Sequence, residues 1–325
     1  SSKQEIISFG ITNQRETIIA WNKNDGTPAS PAIVWEDKRT GLYCRFVNFF
    51  HGKKIRRKTG LRPDSYFSAS KINWLIKNNP AVKKLLSEKN LAVGTVDSWL
   101  IFNLLENSPH LTDKTNASRT LLFNIKENKW DEELLKIFDV PLEILPEVKS
   151  SSSLFGNLKN EIIGLPISLL AVMGDQESSL YAAGNEKGTT KITYGTGAFI
   201  MQDIGQEFLI KKPFFTTLTA TGSFALEAKV EGCGAKIAPL VGTPKIHAAA
   251  KFFIKKTSAL VKKLPIKPEK IILDGGMTQY EKTIPLQNEL TGLPVEKQKI
   301  HNGTALGVAK LLKDSIIKNS LFASS

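Results

Sequence analysis

The sequence predicts an α/β protein with two domains, and three observations support that prediction. Its 325 residues exceed the length of an ordinary single domain. In each half, an apolar strand runs into a turn rich in Gly or Asp and then into a helix. Polar groups suited to ligand binding follow those strands, as they do at the carboxyl ends of strands in open α/β sheets. A hinge predicted at 184–188 divides the chain into domains 1–187 and 188–325.

Hydrophobic periodicity and turn residues predict the individual elements. Strands are predicted at 4–11, 17–22, 32–35, 166–172, 191–194, 198–201, within 213–230, at 271–273 and at Val295. The segment 37–140 is predicted to be mainly helical, with one helix at 71–76 and another starting at Asp97. Further helices are predicted at 177–183, 244–263, 279–291 and 304–317, and a Ser-rich loop at 150–153.

Composition indicates an ordinary globular protein, since 41% of residues are hydrophobic and 23% are charged. No apolar run approaches a membrane span, and no signal peptide opens the sequence. Cys44 and Cys233 lie far apart and show no metal-ligand spacing. We therefore expect no disulfide framework and a reducing, cytoplasmic location.

The net charge of +13 comes mostly from dispersed lysines. The densest basic cluster is Lys53-Lys54-Ile55-Arg56-Arg57-Lys58, which could meet nucleic acid or an anionic surface. No interleaved aromatic residue or nucleic-acid motif accompanies it, and we interpret it as a solvated loop. The sequence thus predicts neither nucleic acid nor a membrane among the partners.

The adjacent charged residues Arg15 and Glu16 lie between two apolar segments. Neighbouring residues of extended chain point to opposite faces, so this pair can reach a small polar ligand from two directions. Taken alone, such a pair more often belongs to the solvated surface. Asp175 is a second candidate, because it follows an apolar strand and precedes a helix. It could be a general base, a Mg²⁺ ligand or simply a helix N-cap.

Two glycine-containing turns are candidates for phosphate contact. Gly195 and Gly197 flank Thr196 between two strands, where the alternative is a simple hairpin turn. Gly275 and Gly276 follow a buried strand. The sequence contains neither a P-loop nor the dinucleotide-binding glycine fingerprint, which argues against both standard nucleotide sites.

Side chains of other types add little to this picture. The four histidines (His51, His110, His247 and His301) show no metal-ligand or triad spacing. Trp35, Tyr66 and Phe199 are core residues by default and also candidate apolar walls of a small pocket.

Ten ordered segments resemble the FGGY family of carbohydrate kinases, in the actin-like ATPase superfamily, and in particular its glycerol kinases. They are ITNQRET at 11–17, AIVW at 32–35 followed by RT at 39–40, YFS at 66–68, GTVDSWL at 94–100, NASRTLLFN at 116–124, LPEV at 145–148, GDQ at 174–176, YGTG at 194–197, DGG at 274–276 and TALG at 304–307. The resemblance implies a two-domain actin-like (ribonuclease H-like) fold. It also implies ATP- and Mg²⁺-dependent phosphorylation of glycerol.

The resemblance implies a polyol site in the first domain. Arg15, Glu16, Tyr66 and Asp175 would hydrogen-bond glycerol, with Asp175 also acting as base and metal ligand. Gln176 would lie beside Asp175. Trp35 and Phe199 would pack on the carbon backbone of glycerol.

The same resemblance implies a nucleotide site in the second domain. Gly195, Thr196 and Gly197 would contact the phosphates of ATP or ADP, and Gly275 and Gly276 would lie near the adenosine. The family commonly forms homodimers or homotetramers.

Some family features are missing from this sequence. The family's first Asp-x-Gly-Thr hairpin, which grips Mg²⁺-ATP, precedes the part of the family that this sequence matches. A Gly-rich stretch is absent between the segments matching Glu231-Gly232 and Pro244–His247, and a family Asn corresponds to Tyr280. Two other hypotheses therefore accompany the kinase: a non-catalytic remnant or split half that binds a polyol or a partner, and a related sugar kinase.

Overall fold

The computed structural model describes residues 8–300 and 302–323, with side chains as far as Ile317. Two compact units make up the chain. The first ends at Asp175 and includes the segment from Val308 onward, and the second is Gln176–Gly307. Within the described ranges, no helix has the length and apolar character needed to cross a membrane.

The first unit combines short strands with helices. Its strands are β1 (Ser8–Asn13), β2 (Ile18–Asn22), β3 (Leu91–Thr95), β4 (Leu111–Asp113), β5 (Phe123–Asn124), β6 (Lys129–Trp130), β7 (Glu147–Lys149), β8 (Ser152–Asn157) and β9 (Ser168–Gly174). Its helices are α1 (Gly41–Thr59), α2 (Ser68–Asn78), α3 (Pro80–Ser87), α4 (Val96–Leu104), α5 (Lys114–Ala117), α6 (Glu132–Phe138) and α7 (Asn160–Ile163).

The pairing of β1 with β9 positions the candidate residues of the first unit. These strands are parallel, and Asn13 at the end of β1 stands opposite Gly174 at the end of β9. Arg15, Glu16 and Asp175 follow these two strand ends, so they emerge at one edge of the sheet.

A compact apolar core supports this edge. Ile11 of β1 and Val172 of β9 pack with Ile101 and Leu105 from the α4 region and with Phe155 of β8. Each of the five is at most 7% exposed. Burial of the apolar residues of β1 and β9 in this core thus fixes the strand ends.

The second unit is built on one six-stranded sheet. Its elements are α8 (Asp175–Ala183), β10 (Thr190–Tyr194), β11 (Ala198–Gly205), β12 (Phe215–Leu218), β13 (Phe224–Val230), α9 (Cys233–Ile237), α10 (Lys245–Val261), β14 (Ile271–Asp274), α11 (Thr283–Thr291) and β15 (Val295–Lys297). The last helix, α12 (Gly303–Ala323), starts in this unit and belongs to the first unit from Val308 onward. The strand order is β12-β13-β11-β10-β14-β15. Because β10 and β14 are parallel neighbours with Thr193 opposite Asp274, the turns that follow them share an edge.

Several predicted elements differ from the structure. Residues 4–7 of the first predicted strand lie outside the described residues, and the strand continues to Asn13. No strand forms at 32–35, because only Ile33 pairs, through an isolated bridge to Ile18. The predicted helix at 279–291 begins only at Thr283, and the predicted loop at 150–153 gives way to β8 at Ser152.

One further prediction about the first unit was wrong, and another was confirmed. The basic cluster 53–58 is the C-terminal part of helix α1 and not a loop. Lys and Arg are good helix formers, and no proline interrupts them there. The segment 37–140 is mainly helical, as predicted, although it also contains the short strands β3, β4, β5 and β6. These strands are short enough that periodicity alone cannot separate them from helix.

Candidate functional site

A tight turn at Glu16 orients the two charged side chains after β1. The Thr17 amide donates to the carbonyl of Arg15 at 2.8 Å, and Glu16 has φ of 62°. A non-glycine residue in this region is strained and needs support from its surroundings. Ser68 Oγ and Lys71 Nζ of α2 both donate to the Glu16 carbonyl oxygen at 3.3 Å. Helix α2 therefore helps to hold the strained turn.

Arg15 and Glu16 are buried, each with only 2% of its surface exposed. The alternative that they form a solvated surface pair is therefore wrong. Arg15 Nε lies 3.3 Å from Oδ1 of Asp175 and 3.9 Å from Oε1 of Glu16. The Asp175 side chain is 34% exposed. One buried cation thus joins a buried carboxylate to a carboxylate that remains accessible.

Arg119, which was not predicted as a site residue, fixes Glu16 from the other side. Its Nε donates to Glu16 Oε1 at 2.6 Å, and its side chain is completely buried. Its guanidinium lies 5.7 Å from the ring centre of Tyr66 and 5.1 Å from that of Phe67. Arginine is suited to this position because its planar group can stack on rings while it binds a carboxylate.

Trp35 and Tyr66 form a partly exposed apolar wall in the same unit. Their ring centroids are 5.7 Å apart with an interplanar angle of 78°. The Trp35 amide donates to Thr17 Oγ1 at 3.3 Å, which ties this wall to the turn that carries Arg15 and Glu16. The first unit thus brings together five predicted site residues: Arg15, Glu16, Trp35, Tyr66 and Asp175.

A buried polar network joins the ends of the strands. The Gly174 amide donates to Thr115 Oγ1 at 2.8 Å, and that hydroxyl donates to Asp113 Oδ2 at 2.7 Å. Asn13 and Asn116 exchange side-chain hydrogen bonds of 3.0 and 3.1 Å. Burial raises the pKa of the Asp113 carboxyl. Because α5 reaches both strand ends through this network, it fixes the spacing between the turns that follow them.

Lys71 is a third buried cation beside the site, after Arg15 and Arg119. Its Nζ donates to the carbonyl of Tyr66 at 2.8 Å, in addition to that of Glu16. Burial lowers the pKa of Lys71 to about 8, and the nearby Glu16 carboxylate opposes that change. Lys71 therefore holds the backbone of two predicted ligand-binding residues at once.

The second unit brings together the two predicted phosphate turns. A Cβ added to Gly275, whose φ is 89°, would lie 2.3 Å from the carbonyl oxygen of Tyr194. The turn after β14 therefore presses directly on the end of β10, beside Gly195. Thr196 is exposed, and Gly276 has open space around it. Backbone groups at this edge can approach a ligand without obstruction by side chains.

Gly234 of α9 belongs to the same edge, although the sequence did not single it out. Its amide donates to the carbonyl of Thr196 at 3.0 Å. A Cβ at this position would lie 2.7 Å from the Gly195 carbonyl oxygen. The sequence feature that could have identified Gly234 is the short Gly-Cys-Gly run that follows β13.

The two remaining predicted residues, Gln176 and Phe199, belong to the second unit. Gln176 Oε1 accepts a 2.9 Å hydrogen bond from the buried Lys191. Phe199 is 9% exposed, with Lys229 Nζ 5.8 Å from its ring centre. Their predicted contacts with substrate stay predictions.

No cluster of three or more His, Cys, Asp or Glu side chains able to hold a metal ion occurs among the residues that the structure describes. A magnesium ion needs no such cluster, since it keeps several waters and takes few protein ligands besides phosphates. The accessible Asp175 carboxylate has the chemistry to supply one such ligand.

The two strand-end sites define an α/β protein that places charged groups at one sheet edge and glycine turns at another. Residues 1–181 match the model of the N-terminal domain of the FGGY family of carbohydrate kinases. The match covers more than half of the chain, and the chain belongs to this family.

Two similar proteins within this family are glycerol kinases. A glycerol kinase of Brachyspira hyodysenteriae is 44% identical over 245 residues, which cover 72% of this chain and 48% of that protein. A glycerol kinase of Deinococcus radiodurans is 32% identical over 372 residues, covering 94% of this chain and 74% of that protein. The chain spans about half the length of the Brachyspira relative.

Solved structures agree with the predicted fold class. A glycerol kinase of Plasmodium falciparum, determined with ADP, has a TM-score of 0.87 and 28% identity, covering 96% of this chain and 76% of that one. A xylulose kinase of Lactobacillus acidophilus has a TM-score of 0.81 at 18% identity, covering 97% and 77%, which shows the fold alone. The two-domain actin-like fold is thereby confirmed, while the predicted boundary at residue 187 stays a prediction.

Proposed function

We propose that this protein is an ATP-dependent glycerol kinase that converts glycerol to glycerol 3-phosphate. The observation that carries the proposal is the accessible Asp175 carboxylate, 3.3 Å from the buried Arg15 guanidinium. Glu16, held by Arg119, and the Trp35–Tyr66 wall complete this group. A small molecule with several hydroxyls and a short carbon backbone matches such a mixture of charged groups and aromatic faces.

In this proposal the first unit binds and activates glycerol. Arg15 donates to hydroxyl oxygens, and Glu16 and Tyr66 make further hydrogen bonds with them. Asp175 accepts the proton of the attacking hydroxyl, a role that typically contributes 10²–10⁴-fold to a rate. Trp35 packs against the carbon backbone, with Phe199 and Gln176 assigned to the same substrate.

The second unit supplies the nucleotide site in this proposal. Backbone amides at Gly195, Thr196 and Gly197 face the phosphates of ATP, and Gly275 and Gly276 leave room for the adenosine. Asp175 would supply a ligand to Mg²⁺, which would neutralise charge on the transferred group. Phosphoryl transfer depends mostly on such positioning and charge stabilisation. The Plasmodium structure with ADP supports a nucleotide of this class.

One observation favours the alternative that this protein binds a polyol without catalysing phosphoryl transfer. The alignment with the Deinococcus relative spans 372 positions although this chain has 325 residues, so that relative has residues with no counterpart here. The Gly-rich stretch that the resemblance leads us to expect after Glu231-Gly232 would belong to the half assigned to ATP. A polyol-binding protein without kinase activity would retain the first unit's site and lose the second.

Calorimetry separates these functions. The kinase should bind glycerol and ATP, and an unreactive ATP analogue should change its affinity for glycerol, since two ligands of one reaction centre are coupled. Binding of glycerol with no binding of ATP or its analogue would instead identify the polyol-binding protein. A parallel series with xylulose, gluconate and other polyols tests the related sugar kinase.

We also propose a cytoplasmic location and assembly as a homodimer or homotetramer. Both cysteines are free and buried, which suits a reducing compartment. Light scattering at several concentrations measures the oligomeric state directly.

A further inference from the structure

The outward face of helix α1 exposes four large apolar side chains. Leu42, Phe46, Phe49 and Phe50 are exposed by 75%, 62%, 83% and 59%. Their spacing places them on one side of the helix, and the opposite side buries Cys44, Val47 and Ile55. Scattered single apolar residues are normal on a surface, but a contiguous group calls for an explanation.

The three phenylalanines form one cluster on the surface. The ring centroids of Phe46 and Phe50 are 4.8 Å apart, and those of Phe49 and Phe50 are 5.0 Å apart. From the area of a Phe side chain, the three rings expose on the order of 400 Å² together. That is about half of the 800 Å² per partner in a typical stable protein interface.

Cations continue the same face toward the end of the helix. Lys53 and Arg57 follow Phe49 and Phe50 on this side, and both are exposed. Neither forms an ion pair with another described residue. Lys54 and Lys58, by contrast, pair with Glu133. The helix itself contains no Asp or Glu, so nothing within it offsets the charge of this face.

A surface groove lies where the apolar and basic parts of the face meet. It has a volume of about 710 Å³. Its lining includes Phe49, Phe50, one carboxylate (Glu127) and five cations: Lys53, Lys54, Arg57, Lys58 and Lys126. A ligand here meets aromatic faces and cationic groups at the same time. An anionic headgroup attached to an apolar body matches both parts of the lining.

Charge distinguishes the two most obvious occupants of this face. A second copy would bring an equally basic face against this one, without carboxylates on either helix to compensate. An anionic lipid surface attracts Lys and Arg and accepts aromatic side chains at its headgroup level.

We propose that the outward face of α1 docks this protein on bilayers that contain anionic phospholipid. Phe46, Phe49 and Phe50 enter the headgroup region, while Lys53 and Arg57 contact lipid phosphates. This would be peripheral attachment by one helix face. It goes against the expectation from sequence that the basic cluster is a solvated loop with no membrane partner.

Vesicle flotation tests the proposal with the complete protein. We expect co-flotation with vesicles of equal parts phosphatidylcholine and phosphatidylglycerol, and none with phosphatidylcholine alone. The triple variant Phe46→Ser/Phe49→Ser/Phe50→Ser and the double variant Lys53→Glu/Arg57→Glu should each lower partitioning by at least about tenfold. Circular dichroism checks that both variants remain folded.

Matched controls carry the same kinds of change at other exposed positions. Ile162→Ser/Ile163→Ser alters exposed apolar residues of α7, and Lys262→Glu/Lys263→Glu removes the same number of exposed cations. Both controls should float like the unmodified protein. Absence of flotation, or an equal loss in the controls, would overturn the proposal. A dimer that the triple variant abolishes, without vesicle binding, would assign the face to a second copy.

Discussion

Glu16 shows at the level of one residue how the site is built. Its backbone is strained, its carboxylate is buried, and each of these features has its own support from another part of the chain. Ser68 and Lys71 hold the carbonyl, and Arg119 holds the carboxylate. Several elements must therefore be in place before the Glu16 carboxylate takes up its position.

Arg119 gives the first prediction at this scale. We expect Arg119→Met to lower the free energy of unfolding by about 3–5 kcal/mol, because it leaves a buried carboxylate without its nearest cation. Urea denaturation followed by circular dichroism measures the change. The double variant Glu16→Gln/Arg119→Met should recover part of the loss. A single variant as stable as the unmodified protein would show that the pair contributes nothing to folding.

Lys71 gives a prediction about pH. Its pKa is about 8 when folded and 10.5 when unfolded, so the unfolded chain binds the extra proton between these values. The free energy of unfolding should therefore rise with pH across this window, by up to about 3 kcal/mol. Lys71→Met removes this contribution. Urea midpoints at several pH values should show the stability of the unmodified protein rising relative to that of Lys71→Met from pH 8 upward. Parallel curves of midpoint against pH would contradict the assigned pKa.

Sequence alone identified most of the residues in the first unit's site. Arg15, Glu16 and Asp175 stood out because polar groups followed apolar strands. Their roles came from the resemblance. Arg119 was missed as a site residue because it lies 103 positions from Glu16, and a buried ion pair at that separation leaves no local pattern. The burial of Arg15 and Glu16 could not be predicted either, because an adjacent Arg-Glu pair considered alone more often lies on the surface.

At the scale of elements, parallel pairing explains where both sites form. β1 lies beside β9 and β10 beside β14, and in each pair the following turns meet at one edge. Strand periodicity predicted these strands, but their pairing depends on contacts between distant segments. The same limit explains the error at 32–35, where an apolar run found only one bridging partner.

The turn after β14 gives a prediction for one element. Gly275→Ala should lower the free energy of unfolding by more than 1 kcal/mol, because its Cβ would meet the Tyr194 carbonyl at 2.3 Å and its φ is 89°. Gly276→Ala is the matched control, since no atom lies within 4 Å of its added Cβ. Thermal unfolding compares the two variants. Equal stability of the two variants would mean that this turn does not lie in close contact with the end of β10.

At the scale of the whole molecule, family membership and function rest on different observations. The match over residues 1–181 and the fold establish the family. The proposed activity requires both a polyol site and a nucleotide site, and the chain spans only about half of the Brachyspira relative. The two-domain fold was predicted correctly from the sequence. The domain boundary predicted from sequence lies at residue 187. The first compact unit, by contrast, ends at Asp175 and includes the segment from Val308 onward.

In the proposed reaction this chain transfers a phosphoryl group to glycerol with Asp175 as the base. The most direct measurement is the rate of glycerol 3-phosphate formation from ATP, Mg²⁺ and glycerol, with Glu161→Gln as a matched control at an exposed carboxylate. We expect glycerol 3-phosphate and ADP in equal amounts, at a rate unchanged in the control and reduced about 10²–10⁴-fold in Asp175→Asn. Absence of glycerol-dependent product at high enzyme concentration, or full activity in Asp175→Asn, would contradict it.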